Sequence, residues 1–119
     1  MQQVGIDIVE IVRIKRAVER WGQGFLGRVY TGAELERYGR SIPSLAARFS
    51  GKEAVIKALS SRSIGLKEIE ILSDPGGKPM VRLYGRARSR ARDMGLSCLA
   101  ISLSHCREYA CACAVGEVD

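Results

Sequence analysis

The apolar positions change their period several times along the chain. Residues 4–9 are a short β-branched run interrupted by Gly5 and Asp7, which predicts a first strand. From residue 10 the spacing becomes helical. Ile11, Ile14, Val18 and Trp21 recur three or four apart on one side, with Arg13, Arg16 and Arg20 on the other, until Gly22 and Gly24 end the helix. Thr31 and Glu34 have the spacing of a capping box, so a short helix is expected over 31–38. Pro43 precedes a longer helix over 44–60, with Leu45, Phe49, Ile56 and Leu59 as core candidates.

The second half favours hairpins. Residues 68–72 alternate acid with isoleucine, Asp74-Pro75-Gly76-Gly77 is turn chemistry, and 79–83 returns as a partner strand. Over 85–94 an arginine-rich segment puts Leu83, Ala87, Ala91 and Met94 on one narrow apolar stripe, with Gly95 as its stop. Residues 98–104 and 109–115 close the chain as a hairpin. The order β-α-α-α-β-β-α-β-β predicts a small α+β fold, an antiparallel sheet packed on a long central helix. There is no repeat or linker, so one domain over 1–119 is expected.

Composition narrows the function. At 119 residues and 46% hydrophobic, the chain can build a real but modest core, with little to spare for a deep private pocket. A site shared between subunits is therefore plausible from the outset. The net charge of +6 favours an anionic partner without choosing one. The first residues lack the basic and long apolar regions of a signal peptide, and no apolar run approaches membrane-spanning length, so the chain reads as cytoplasmic and independent of membranes. Cys98, Cys106, Cys111 and Cys113 form no CxxC pair, and the single histidine, His105, cannot complete a zinc site. They read as reduced, buried thiols.

Three segments carry chemistry. In Gly5-Ile6-Asp7-Ile8-Val9-Glu10 an acid inside an apolar strand is costly unless a cation answers it, although a carboxylate there could instead cap the following helix. In Arg48-Phe49-Ser50-Gly51-Lys52-Glu53-Ala54-Val55-Ile56-Lys57, helical spacing puts Glu53 with Lys57 and Arg48 with Lys52. That is either a solvated ion pair or a carboxylate for Mg²⁺ beside cations for phosphate oxygens, since Mg²⁺ takes one or two protein carboxylates and completes its shell from water and phosphates. In Ser102-Leu103-Ser104-His105 a histidine at a strand end can donate to a phosphate, or simply occupy a turn.

Taken together, G-x-D on a first strand, R-F-x-x-K-E-x-x-x-K on a central helix, Gly76-Gly77-Lys78-Pro79 in a turn and S-x-S-H near the end resemble the holo-acyl-carrier-protein synthase family of phosphopantetheinyl transferases. The resemblance runs from Gly5 to Val115. It implies attack by a carrier serine on the β-phosphorus of coenzyme A, giving phosphopantetheinyl-serine and adenosine 3′,5′-bisphosphate. By the same resemblance Asp7 and Glu53 hold Mg²⁺, and Lys57 contacts the pyrophosphate. Arg48 and His105 help bind the 3′-phosphate, and Gly77, Lys78 and Pro79 lie near the adenine. The helix carrying Arg13, Arg16 and Arg20 docks an acidic acyl carrier protein, and the assembly is a homotrimer with its sites between subunits. Glu53, acting through water, and Asp7 are both candidates for the base that takes the serine proton. The chain departs from the family at Ser60-Ser61-Arg62-Ser63, where relatives often carry Gly-Thr-Gly.

The competing class is a small basic nucleic-acid-binding module, supported by Arg82, Arg86, Arg88, Arg90 and Arg92. With seven aromatic residues, no nucleic-acid motif, and acids at Asp7, Glu10 and Glu53, the sequence speaks against it.

Overall fold

A computed structural model describes residues 1–119. Strand β1 (Gln2–Glu10) leads into three short helices, α1 (Ile11–Trp21), α2 (Gln23–Val29) and α3 (Gly32–Tyr38), and then the long α4 (Ile42–Leu59). A single 3₁₀ turn at Leu66–Glu68 precedes the hairpin β2 (Ile69–Ser73) and β3 (Pro79–Leu83). Helix α5 (Gly85–Asp93) then connects to the closing hairpin β4 (Leu96–His105) and β5 (Tyr109–Val118). No helix is long and apolar enough to cross a membrane.

Both sheets are antiparallel. One is ordered β1-β5-β4, and β2-β3 forms the other. Helix α4 packs between them, with Ala54, Val55, Ala58 and Leu59 joining Ile69 and Ile71 on one side and Ala112 and Ala114 on the other. Its sequence shows no polar face because almost no face of it meets water. Gly5 lets β1 approach this closely, since a Cβ there would lie 1.9 Å from the Ala54 carbonyl oxygen. The expected capping box forms at Thr31 and Glu34, and Ser41 caps α4, with Pro43 inside its first turn rather than before it.

Four expectations need correction. Helix α2 was not predicted, because two glycines within its seven residues hide its period. Trp21 is 60% exposed instead of sharing the buried side with Ile14. Phe49 and Ile56 are only half-buried, whereas Leu45 and Leu59 are fully enclosed. All four thiols are free, but none is buried. Cys98 and Cys106 are exposed, and Cys111 and Cys113 are half-buried on the opposite face of β5 from Ala110, Ala112 and Ala114.

The first sheet keeps a second apolar face. Val4, Ile6 and Ile8 point away from α4 and are 59%, 67% and 65% exposed. Register places them opposite Val115, Cys113 and Cys111 of β5. Ala100, Ser102 and Ser104 of β4 flank the same three β5 residues on the other side.

Candidate functional site

Alternation along β1 turns Asp7 inward, beside α4, and explains how an acid can sit in this strand. Ser50 Oγ donates to the Asp7 carbonyl oxygen at 2.9 Å and to Asp7 Oδ2 at 3.1 Å. Lys57 Nζ, one helical turn beyond Glu53, donates to Asp7 Oδ1 at 3.3 Å and to the Ile6 carbonyl at 2.8 Å. Asp7 therefore answers cations and hydroxyls, and it caps no helix. Glu10 occupies the N-cap of α1 but makes no side-chain cap bond there.

Glu53 lies beside Asp7 in a cleft of about 270 Å³, also lined by Ile8, Val9, Arg13 and Phe49. Burial pushes its carboxyl above the ordinary carboxylate range, the Asp7 charge pushes it further, and Lys57 partly opposes both. Two carboxylates that repel one another at a half-buried cleft are a hard-oxygen donor set that a divalent cation would satisfy. No third acid or histidine joins them. An ion held there must therefore complete its shell with water and ligand oxygens, which suits Mg²⁺.

Arg48 lies elsewhere. It is 6% exposed, stacks on the Tyr38 ring at 3.4 Å, and donates to the Ile71 carbonyl and to Ser73 Oγ at 3.2 and 3.0 Å. With Gly77, Pro79, Ser104 and His105 it lines a separate cavity of about 180 Å³. His105 ends β4 at its mouth. The Gly76–Gly77 turn is shaped by Asp74, whose carboxylate accepts from the Lys78 amide at 2.9 Å, and Gly77 adopts φ 92°, a region that favours glycine. Lys78 is exposed and does not line the cavity.

The helical motif thus divides. Arg48 and Glu53 are five positions apart on α4, so they project about 140° from one another around its axis. Lys52, which spacing placed with Arg48 as a cation, reaches no cleft. It is fully buried, and its Nζ meets Glu34 Oε1 at 2.6 Å and donates to the carbonyl of Leu66 at 3.1 Å. Glu34 also accepts from the Ile71 amide at 2.8 Å. Sequence reasoning did not anticipate this pair, and the capping box that names Glu34 was its only trace. Arg13, Arg16 and Arg20 are exposed along α1, with Arg13 at the lip of the Asp7–Glu53 cleft and Arg20 stacked 4.9 Å over Trp21.

Comparison with known proteins bears directly on this arrangement. The model of the 4′-phosphopantetheinyl transferase superfamily matches residues 3–114. The chain is 53% identical over 118 residues to a holo-[acyl-carrier-protein] synthase of Dehalococcoides mccartyi (strain CBDB1), covering 98% of this chain and 99% of that protein. It is 43% identical to the corresponding synthase of Herpetosiphon aurantiacus, with 98% of each chain covered. The crystal structure of Helicobacter pylori holo-[acyl-carrier-protein] synthase in complex with coenzyme A is similar at a TM-score of 0.87 and 30% identity, over 96% of this chain and 99% of that one.

Proposed function

Because this chain belongs to the holo-acyl-carrier-protein synthase family of 4′-phosphopantetheinyl transferases, we propose that it moves 4′-phosphopantetheine from coenzyme A to a serine of an acidic apo acyl carrier protein, releasing adenosine 3′,5′-bisphosphate. The transferase domain would span 1–119. The observation that carries this reading is the meeting of Asp7 and Glu53 in one cleft that Arg13 also lines, with Lys57 bonded to Asp7 beside it.

Asp7 and Glu53 would hold Mg²⁺, which when bound neutralises charge on phosphate oxygens. Phosphoryl transfer needs positioning and charge neutralisation more than covalent chemistry from the protein. Lys57, with its side chain 55% exposed, can swing from Asp7 to a pyrophosphate oxygen at little cost. Of the two candidate bases, the geometry favours Glu53. Both Asp7 oxygens already accept hydrogen bonds, whereas the Glu53 carboxylate is free of such partners and could act through water. His105, Arg48 and the 76–79 turn form the second subsite, for the 3′-phosphate and adenine of coenzyme A. Arg48 is already anchored to the fold, so it contributes a fixed charge at that cavity.

The same geometry is consistent with a homotrimer whose sites lie between subunits. Arg48 and Glu53 point to faces of α4 about 140° apart, an arrangement in which the Asp7–Glu53 cleft of one subunit would meet the Arg48–His105 cavity of the next. The outward apolar face of β1 and β5 supplies a surface for that assembly. The direct test incubates the protein with apo-carrier, coenzyme A and Mg²⁺ and follows the carrier by mass spectrometry. The phosphopantetheine increment should appear with wild type and be lost in Asp7→Ala and Glu53→Ala. Ample transfer by both variants would overturn the assignment.

A further inference from the structure

We propose that Arg90 and Arg86 of α5 are positioning residues, which fix the 60–65 loop and the last turn of α4 so that Lys57 presents at the phosphate end of the site. This rests on the function proposed above.

The loop begins with a conformational cost. Ser60 is the one non-glycine residue with positive φ, at φ 52° and ψ 44°. An L-residue held in this left-handed region costs on the order of 1 kcal/mol and stays there only where its surroundings insist. The Ser60 amide donates to the Lys57 carbonyl at 3.1 Å, so the strained residue is joined directly to the catalytic turn.

Helix α5 supplies the insistence. The last carbonyls of α4 have no intrahelical partner and form the negative end of its dipole. Arg90 Nε donates to one of them, the Leu59 carbonyl, at 2.8 Å, and Arg86 Nη1 donates to the Ser63 carbonyl at 3.2 Å. The far end of the loop is tied to the same helix through Glu68. One of its carboxylate oxygens accepts from the Gly65 amide at 3.2 Å, and the other accepts from the Arg86 and Ala87 amides that open α5. Ala87 and Ala91 seat α5 in the core. The loop is thus held at residues 59 and 63 by α5 itself and at residue 65 by Glu68, which α5 in turn binds.

This also divides the arginine run that the sequence left without a task. Arg86 and Arg90 turn toward the loop. Arg86 remains exposed while doing so, as do Arg82, Arg88 and Arg92, and Arg92 has Asp93 at 4.0 Å. A row of five arginines, two of them bonded to backbone carbonyls, is not arranged as a continuous phosphate-neutralising face.

The test compares wild type with Arg90→Gln, Arg90→Lys, Arg86→Gln, the Arg86→Gln/Arg90→Gln double variant and, as a control, Arg88→Gln. Coenzyme A and apo-carrier are varied separately in steady-state assays, and amide hydrogen exchange is followed over 57–65. The double variant should lose about tenfold to a hundredfold in kcat/KM for coenzyme A, keep its KM for the carrier within about twofold, and exchange faster over 57–65 only. Arg90→Lys should recover part of both effects, and Arg88→Gln should match wild type. Should the double variant fail to fold, Ser60→Val leaves the arginines intact but disfavours the left-handed loop, and it should show the same two changes. Faster exchange with unchanged coenzyme A kinetics overturns the proposal, as does slower catalysis with unchanged exchange. A wild type that transfers no phosphopantetheine overturns the functional reading instead.

Discussion

Replacing Lys52 with methionine decides whether this residue belongs to the core or to the site. Lys52 and Glu34 are both fully buried, 2.6 Å apart. Burial pulls the lysine below its ordinary value, and the Glu34 charge opposes that pull. Lys52→Met fills similar volume but strands the Glu34 carboxylate, which keeps only the amides of Thr31 and Ile71. It also removes the donor to the Leu66 carbonyl. Breaking one side of a buried pair costs about 3–5 kcal/mol, a fifth or more of the roughly 5–15 kcal/mol that holds a domain together. At about 3–5 °C per kcal/mol for a chain of this size, the midpoint should fall by roughly 10–20 °C. Adding Glu34→Gln removes the stranded charge, so the double variant should recover at least about 2 kcal/mol of that loss. Urea denaturation followed by circular dichroism gives the stabilities. Transfer assays are then run at a temperature where each variant is folded, and KM for coenzyme A should stay within about twofold of wild type. A loss below about 1 kcal/mol, or a large rise in coenzyme A KM at unchanged stability, would refute this placement of Lys52.

Three other outcomes are expected. Glu53→Gln should abolish transfer yet stabilise the metal-free protein at neutral pH. The raised folded-state pKa means the charged carboxylate opposes folding above that pKa and has no effect below the ordinary carboxylate value, so the gain should vanish in thermal melts as pH falls through that window. Ile6→Glu should leave the monomer folded, because this side chain is 67% exposed, while sedimentation shows loss of the proposed trimer and assays show loss of activity. Arg13→Glu with Arg20→Glu should raise KM for the carrier and leave that for coenzyme A unchanged, with wild-type transfer slowing as salt screens charges beyond about 8 Å.

Much of the fold was legible where a local signal had one physical meaning. The Thr31 box and the Asp74 turn formed as read, and of the stripe from Leu83 to Met94 the helix buries Ala87 and Ala91, whereas Leu83 belongs to β3. Failures came where periodicity is ambiguous. On α4 the spacing pairs Arg48 with Lys52 and Glu53 with Lys57, but a helix enclosed on nearly every side carries no mark of which pair meets a cleft. Trp21 keeps the spacing of Ile14, yet it sits in the last turn, where Gly22 at φ 51° redirects the chain and leaves it 60% exposed under Arg20. Alternation on β5 says that Cys111 and Cys113 share a face, and it cannot say which face is inside when both are apolar.

The first strand shows where that ambiguity carries functional information. Its bulky residues, Val4, Ile6 and Ile8, face outward, and its inward residues are Gly5, Asp7 and Val9. This inverts the usual economy of a half-buried strand, in which the largest apolar side chains enter the core. The inward positions are constrained by α4. A side chain at position 5 would collide with the Ala54 carbonyl, and position 7 must deliver a carboxylate to Ser50, Glu53 and Lys57. The apolar residues that the strand still carries are therefore free to serve another surface. Exposing three β-branched side chains in register with Val115, Cys113 and Cys111 has no benefit to an isolated monomer, and burying them would contribute roughly 1.5–3 kcal/mol each. The close approach of β1 to α4 that sets the Asp7 carboxylate, and the outward face that would draw subunits together, are thus two consequences of one alternating segment.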